Sequence, residues 1–156
     1  MLLYRLIIIL MLLFSNINTI PMDNNILEIM STSQEIVIYQ DGEKTTLTQN
    51  STEFDNISDE LLRLSSNSRE CPAFGVALHN ETLEAMTTGL WLEVKFEQTI
   101  SHNEMPFDTL LIQVVGEYTG FNIIRQYRGK YDGRCFYVDL IDNDLSSLEK
   151  LLQELI

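Results

Sequence analysis

The chain has 156 residues, with 23 acidic side chains against 10 lysines and arginines, a formal net charge of −13 at pH 7. Such a surface repels nucleic acids and anionic lipid headgroups, which argues against a general nucleic-acid-binding protein. A hydrophobic content of 45%, with only 7 glycines and 3 prolines, indicates a packed globular domain that needs neither a metal nor many disulfides to fold.

The N-terminus has the layout of a secretory signal peptide. An uninterrupted apolar run from Leu6 to Phe14 follows a positive charge at Arg5. As a helix this run extends only about 14 Å, against a hydrocarbon core of roughly 30 Å. We therefore interpret residues 1–20 as a signal peptide or, if uncleaved, as a short N-terminal anchor; a buried N-terminal helix is the third alternative. The rest of the chain is then secreted or extracytoplasmic, or tethered to a membrane through this segment alone.

The sequence after the leader predicts a polar tether at residues 21–33 and a single α+β domain at residues 34–156. The domain begins with two strands, at residues 35–40 and 44–49. Asp41 and Gly42 lie between them and predict a tight hairpin, since glycine tolerates the positive φ that such turns require.

A helix is predicted from Ser51 or Thr52 to about Ser65, because apolar side chains recur on one helical face. Alternating residues from Leu90 to Glu97 then predict a half-buried strand. The other predicted elements are strands at residues 74–79, 108–115, 121–127 and 135–141, a helical turn at 81–88, and a last helix at 143–156. This order predicts a single antiparallel, meander-like twisted sheet with two packed amphipathic helices.

The two cysteines, Cys71 and Cys135, are either a disulfide or two unpaired thiols. Export places them where disulfides persist, and closing a loop of about 65 residues contributes roughly 4 kcal/mol in the chain-entropy model. A catalytic thiol requires a base, and His79 and His102 are the histidines available. Neither lies in a recognisable local signature, so no catalytic residue is assigned.

The sequence contains no metal motif of familiar spacing. Asp139, Asp142 and Asp144 form an acidic cluster, but Ser147 replaces the glycine and Gln153 the closing glutamate of a calcium loop. Capping of the last helix is the preferred interpretation of this cluster. No cofactor is predicted.

A segment at residues 125–134 gathers four of the 10 lysines and arginines and interleaves them with tyrosines. It is either a solvated charged turn or a site for a carboxylate, a sulfate or an acidic partner. Trp91 lies on the polar side of its strand and is either covered by a helix or an interface anchor. The candidate binding residues are Arg125, Tyr127, Arg128, Lys130, Tyr131, Arg134 and Trp91.

Asn50, Asn56 and Asn80 begin N-glycosylation acceptor triplets, which matter if the host glycosylates its secreted chains. The pattern as a whole favours a small exported acidic domain that binds a protein or a small anionic ligand and catalyses no reaction. Two alternatives remain open. One is a hydrolase-type Cys–His enzyme, and the other is an accessory subunit of an envelope or secreted assembly.

Overall fold

The computed structural model describes residues 19–22 and 24–156. Residues 1–18 of the predicted leader lie outside the described residues. Within the described part of the chain, no helix combines the length and apolar character needed to cross a membrane.

The protein has an α+β fold built on a nine-stranded, mostly antiparallel sheet. The strands are β1 (Ile20–Pro21), β2 (Glu35–Gln40), β3 (Glu43–Thr48), β4 (Ser68–Cys71), β5 (Val76–Ala77), β6 (Leu90–His102), β7 (Met105–Gln113), β8 (Gly120–Tyr127), β9 (Lys130–Tyr131), β10 (Gly133–Arg134) and β11 (Phe136–Leu140). The order across the sheet is β3-β2-β6-β7-β8-β11-β4, with β1 added in parallel to β6 and β9 added to β8. Strands β5 and β10 form a separate two-stranded sheet.

Four helices are described: α1 (Ile26–Ser31), α2 (Thr52–Ser65), α3 (His79–Ala85) and α4 (Ser146–Gln153). The apolar side chains of α1, α2 and α4 pack with strand residues such as Leu92 and Val94 into one large core, and we call this face of the sheet the inner face. Trp91 and Glu93 point to the opposite, outer face, where α3 and the Tyr131 side chain of β9 cover part of the sheet.

The predicted hairpin is confirmed, since β2 and β3 pair over their full lengths. Its turn contains Asp41 with φ 50° and Gly42 with φ 86°. Helix α2 is also confirmed: the Ser51 hydroxyl accepts the Phe54 backbone N–H at 3.1 Å and caps the helix N-terminus.

The structure corrects two features of the predicted architecture. There are four helices among the described residues where two were predicted, and the simple meander is limited to β6, β7 and β8. The segment predicted as a polar tether contains helix α1, in which Ile26, Leu27, Ile29 and Met30 are fully buried. Six residues are too few to show a helical repeat in a sequence, so this helix is stabilised by the core it enters.

Candidate functional site

The outer face of the sheet contains a buried carboxylate. Glu93 lies near the start of β6, paired with Val37 on β2 and with Leu111 on β7, and is only 3% exposed. Removing an ionised carboxylate from water costs several kcal/mol, unless hydrogen bonds and an opposite charge compensate for the lost hydration. The neighbours of Glu93 supply both.

Two tyrosines and a lysine contact the Glu93 carboxylate. The Tyr131 hydroxyl donates a short hydrogen bond to Glu93 Oε2, and the Tyr39 hydroxyl lies 3.4 Å from the same oxygen. Lys95 Nζ lies 3.4 Å from Glu93 Oε1 and 2.7 Å from Glu35 Oε1. The ammonium is therefore held more closely by Glu35, at the rim, than by the buried carboxylate.

The electrostatics of this cluster keep its phenols protonated. Burial, and then the negative charge of Glu93, raise the pKa of Tyr131 far above its ordinary value, and the same two causes raise the pKa of Tyr39. Burial alone would lower the pKa of Lys95, but its hydrogen bond to Glu35 and the charge of Glu93 outweigh burial and raise it. The phenols of Tyr39 and Tyr131 are therefore neutral at neutral pH, and Lys95 is charged.

A pocket of about 390 Å³ opens above this cluster. Helix α3 and the turn after it form one wall, and strands β2, β6, β8 and β9 form the floor and the other walls. The lining residues are Tyr39, Gly42, Leu83, Met86, Thr87, Glu93, Lys95, Gln126 and Tyr131.

His79, considered as a catalytic base in the sequence, has a structural contact beside this cluster. Its Nδ1 accepts the Tyr131 backbone N–H at 3.2 Å, and the two rings stack with centroids 6.1 Å apart. An acceptor Nδ1 requires the neutral ring with its proton on Nε2. His79 thereby fixes the position of the tyrosine that donates to Glu93.

A second cleft, of about 570 Å³, contains the other histidine. His102 is 5% exposed; its Nδ1 lies 2.8 Å from the Met22 carbonyl oxygen, and its Nε2 lies 2.8 Å from Glu70 Oε2. Asn103 Nδ2 donates to Glu70 Oε1 at 2.7 Å. The histidine is therefore anchored between a backbone carbonyl and a carboxylate.

Cys71 lines the same cleft as His102, whereas Cys135 lies in a different cavity. Cys71 Sγ lies 3.8 Å from the Arg69 carbonyl oxygen. The cleft brings together a cysteine and a histidine that are distant in sequence, but both ring nitrogens of that histidine already contact Met22 and Glu70. The Cys–His enzyme alternative stays a prediction.

The disulfide predicted between Cys71 and Cys135 is not formed, and both residues are free thiols. The strand register explains the separation, because Cys71 pairs with Tyr137, two residues beyond Cys135. Burial raises the pKa of the Cys135 thiol, against smaller opposing effects of the Ala77 backbone and of Arg125. Cys135 is therefore an unreactive, protonated thiol at neutral pH.

The cations of residues 125–134 do not converge on one pocket. Arg125 donates to the carbonyl oxygens of Arg134 and Pro106, at 3.1 Å and 3.0 Å, and so ties three chain segments together. The Arg128 guanidinium lies 5.0 Å from the centre of the Tyr127 ring, at the turn. Of the other two cations, Lys130 is exposed and Arg134 borders the His102 cleft. Tyr131, from the same segment, points inward to Glu93.

Trp91 is covered in the structure, at 5% exposure. Its indole N–H donates to the Thr88 carbonyl oxygen at 2.8 Å, and its ring packs with Met86, Leu111 and Tyr131. It forms part of a small second core beneath α3.

Sequence reasoning missed a group of exposed apolar side chains on the outer side of the molecule. We call it the 74–83 surface: Phe74 (68% exposed), Val76 (66%), Leu78 (57%) and Leu83 (45%). Val76 and Leu78 border a cavity of about 300 Å³ that also reaches Trp91 and Cys135. The apolar run had predicted an ordinary strand, but only Val76 and Ala77 pair, and they pair with two residues of β10.

The acidic cluster before α4 has structural contacts. Asp144 Oδ1 accepts the Ser146 backbone N–H at 3.0 Å, and this hydrogen bond lowers the pKa of the Asp144 carboxyl. Asp139 pairs with Arg69 at 2.8 Å. Across residues 19–22 and 24–156, no group of three or more histidine, cysteine or acidic side chains is arranged to hold a metal ion.

The three glycosylation candidates are all exposed. Asn50 follows β3 with φ 90°, Asn56 lies on α2, and Asn80 lies in the first turn of α3. Their modification stays a prediction.

No protein-family model, curated protein or solved structure matches this chain. The fold defines the class, an α+β domain with a mostly antiparallel sheet. Two local features bear on its function: the 74–83 surface and the Glu93 pocket.

Proposed function

We propose that the protein is a small exported binding domain without enzymatic activity, and that its 74–83 surface docks an extended apolar segment of a partner protein. The observation that carries the proposal is the concentration of exposed apolar side chains in one short segment of the chain. Four of the nine large hydrophobic side chains exposed among the described residues fall between positions 74 and 83, and two of them, Val76 and Leu78, border the same cavity. Exposed apolar patches mark interaction sites, whereas singly scattered apolar residues are ordinary.

Leu78 supports the proposal independently. It occupies the N-cap position of α3, with φ −119° and ψ 128°, and makes no side-chain hydrogen bond to the helix. Serine, threonine, aspartate or asparagine stabilise a helix at this position. An exposed leucine there gives up helix stability, as expected where a surface serves contact with a partner.

The partner's charge is inferred from the residues around the surface. Glu81 borders the cavity beside Val76 and Leu78, and Glu84 is exposed on the same helix. The whole chain has a net charge of −13. A docking segment with a lysine or arginine beside its apolar residues therefore fits both the surface and the field around it.

Export is supported by the sequence of the leader, in which Arg5 precedes the apolar run from Leu6 to Phe14. Mass spectrometry of the mature protein from its native host is expected to find an N-terminus near residue 20. A chain that still begins at Met1 would contradict the cleaved form and favour the anchored one.

Site-specific photo-crosslinking tests the docking surface. Benzoylphenylalanine replaces Phe74 in one variant and Leu62 in a matched control, since Leu62 is 49% exposed but lies on α2. In the native host, the Phe74 variant is expected to crosslink one partner through a peptide with apolar residues and an adjacent lysine or arginine. Equal labelling at both positions, or crosslinks only between copies of this chain, would contradict the proposed partner.

A further inference from the structure

We propose that the Glu93 pocket binds an alkylammonium group, the protonated amine of a small molecule or of a lysine side chain. The pocket is separate from the cavity beside Val76 and Leu78, and the inference does not depend on the proposed docking function. It follows from three properties of the pocket: an incompletely used carboxylate, an unbalanced negative charge and an apolar wall.

The first property is the acceptor capacity of Glu93. An ionised carboxylate has about four positions at which it accepts hydrogen bonds. The Tyr131 and Tyr39 hydroxyls both approach Oε2, which leaves Oε1 facing Lys95 at 3.4 Å. Hydrogen bonds between an ammonium and a carboxylate are normally about 2.7–2.9 Å long. Oε1 thus has the capacity to accept a shorter hydrogen bond from an ammonium donor.

The second property is the charge of the cluster. Glu35 and Glu93 provide two negative charges and Lys95 one positive charge, so the three side chains together have a net charge of −1. Asp108 adds to the negative field that acts on Tyr131. Lys95 is the one cation among the pocket's described lining residues, and it lies 2.7 Å from Glu35. A monovalent ammonium balances this charge where a neutral or anionic ligand does not.

The third property is the shape of the pocket. Its volume of about 390 Å³ is within the range of sites for small ligands. Leu83 and Met86, from the α3 side, line the same pocket as Glu93 and Lys95. An alkyl chain packs against these two side chains while its ammonium group reaches the carboxylate.

Leu83, one of the residues that define the 74–83 surface, also lines this pocket. A free amine and a lysine of a docked segment are therefore the two sources of the ligand. The same chemistry recognises both, and the experiment below separates them.

Titration of the full chain with butylammonium chloride tests the inference, with potassium chloride at equal ionic strength and 1-butanol as the uncharged analogue. NMR amide shifts and Trp91 fluorescence report binding, since Trp91 packs in the same small core as Tyr131. We expect saturable binding of butylammonium alone. Shifts no larger than those in potassium chloride, or equal binding of 1-butanol, would overturn the inference.

Two variants with a matched control connect the binding to the cluster. Glu93→Gln retains the shape and removes the charge, and is expected to weaken butylammonium binding at least about tenfold. Glu97→Gln removes the same charge at an exposed position of the same strand and is expected to leave binding within about twofold. Lys95→Met removes the competing ammonium and should tighten binding by about tenfold. If Glu93→Gln fails to fold, unchanged or weaker binding by Lys95→Met still contradicts the site.

Nα-acetyl-lysine N-methylamide distinguishes the two sources. Binding of this compound with an affinity close to that of butylammonium supports a lysine side chain as the ligand, and binding of butylammonium alone supports a free amine. If the variant with benzoylphenylalanine at position 74 crosslinks no partner, the docking proposal is refuted. The butylammonium titrations do not depend on that outcome.

Discussion

The two faces of the same sheet differ in how they are covered. On the inner face, three helices bury a continuous apolar core in which residues such as Leu92 and Leu110 have no exposed surface. On the outer face, one seven-residue helix and the Tyr131 side chain cover only part of the sheet, and the carboxyl group of Glu93 is buried there. The inner face holds the large apolar core, and the outer face has the polar groups and open cavities on which the proposed binding functions rest.

Strand β6 belongs to both faces. Its even-numbered residues Leu92 and Val94 enter the inner core, while Trp91, Glu93 and Lys95 point outward. Because side chains alternate along a strand, neighbouring positions of β6 lie in two different environments, the inner core and the outer face. Substitutions at adjacent residues of β6 are expected to have effects of different kinds, on folding in one case and on binding in the other.

The largest expected change in the free energy of unfolding follows from the loss of an aromatic side chain on the inner face. Phe136 is 1% exposed and packs edge-on against Phe107, with ring centroids 5.7 Å apart. Phe136→Ala leaves a cavity and is expected to lower the free energy of unfolding by about 3–5 kcal/mol. Urea denaturation measures the change. Phe74→Ala, at a 68% exposed outer position, is the control and should change stability by no more than about 0.5 kcal/mol. Similar losses in both variants would contradict the division between the faces.

The second expected effect concerns the outer-face cluster. Tyr131→Phe removes the hydroxyl that donates to Glu93 and leaves a buried carboxylate oxygen short of a donor. The free energy of unfolding at pH 7 is expected to fall by about 1–3 kcal/mol. Tyr118→Phe is the matched control, because Tyr118 is 38% exposed.

The pH dependence of stability tests the same hydrogen bond. The pKa of Tyr131 is raised in the folded state, so its contribution is complete below the ordinary tyrosine pKa of about 10 and is lost as the pH rises above it. The stability difference between the wild type and Tyr131→Phe should therefore shrink between about pH 10 and pH 12. A difference that grows over this range would show that the phenol is not held in its protonated form.

Much of the fold was predictable wherever a local signal was strong. Asp41 and Gly42 predicted the hairpin, and Ser51 predicted the start of α2. The alternation of side chains after Leu90 predicted the central strand. Each signal lies within one element and reflects a backbone or capping preference. Helix α1 was missed because its stability comes from tertiary burial, which a six-residue pattern does not reveal.

The burial of Glu93 and the exposure of Val76, both on the outer face, were less predictable than the hairpin and helix α2. A glutamate in an alternating strand predicts exposure to solvent, yet Glu93 is covered because Tyr131, 38 residues later, and helix α3 fold over it. Likewise, the sequence predicted a strand at residues 74–79, but only Val76 and Ala77 form β5, which pairs only with β10 and leaves Val76 in solvent. Both outcomes depend on contacts distant in sequence, and periodicity carries no information about them.

Loss of the N-terminal cap of α2, an inner-face helix, is expected to lower the free energy of unfolding by less than Phe136→Ala or Tyr131→Phe does. Ser51→Ala removes the hydroxyl that accepts the Phe54 backbone N–H and should lower the free energy of unfolding by about 1 kcal/mol. Ser51→Asn retains an acceptor at that position and is expected to recover most of the loss. An alanine variant as stable as the wild type would mean that packing of α2 alone determines where the helix begins.

The smallest expected effect has the opposite sign and concerns the uncapped outer-face helix. Leu78 is exposed at the N-cap of α3, so Leu78→Ser supplies the missing acceptor and is expected to raise the free energy of unfolding by about 0.5 kcal/mol. Leu78→Ala cannot cap the helix and should be less stable than the serine variant by about 1 kcal/mol. If Leu78 serves the docking surface, the more stable serine variant also crosslinks less efficiently from position 74. A serine variant that gains stability and retains full crosslinking would separate Leu78 from the docking surface, because stability and contact would then not oppose each other at this residue.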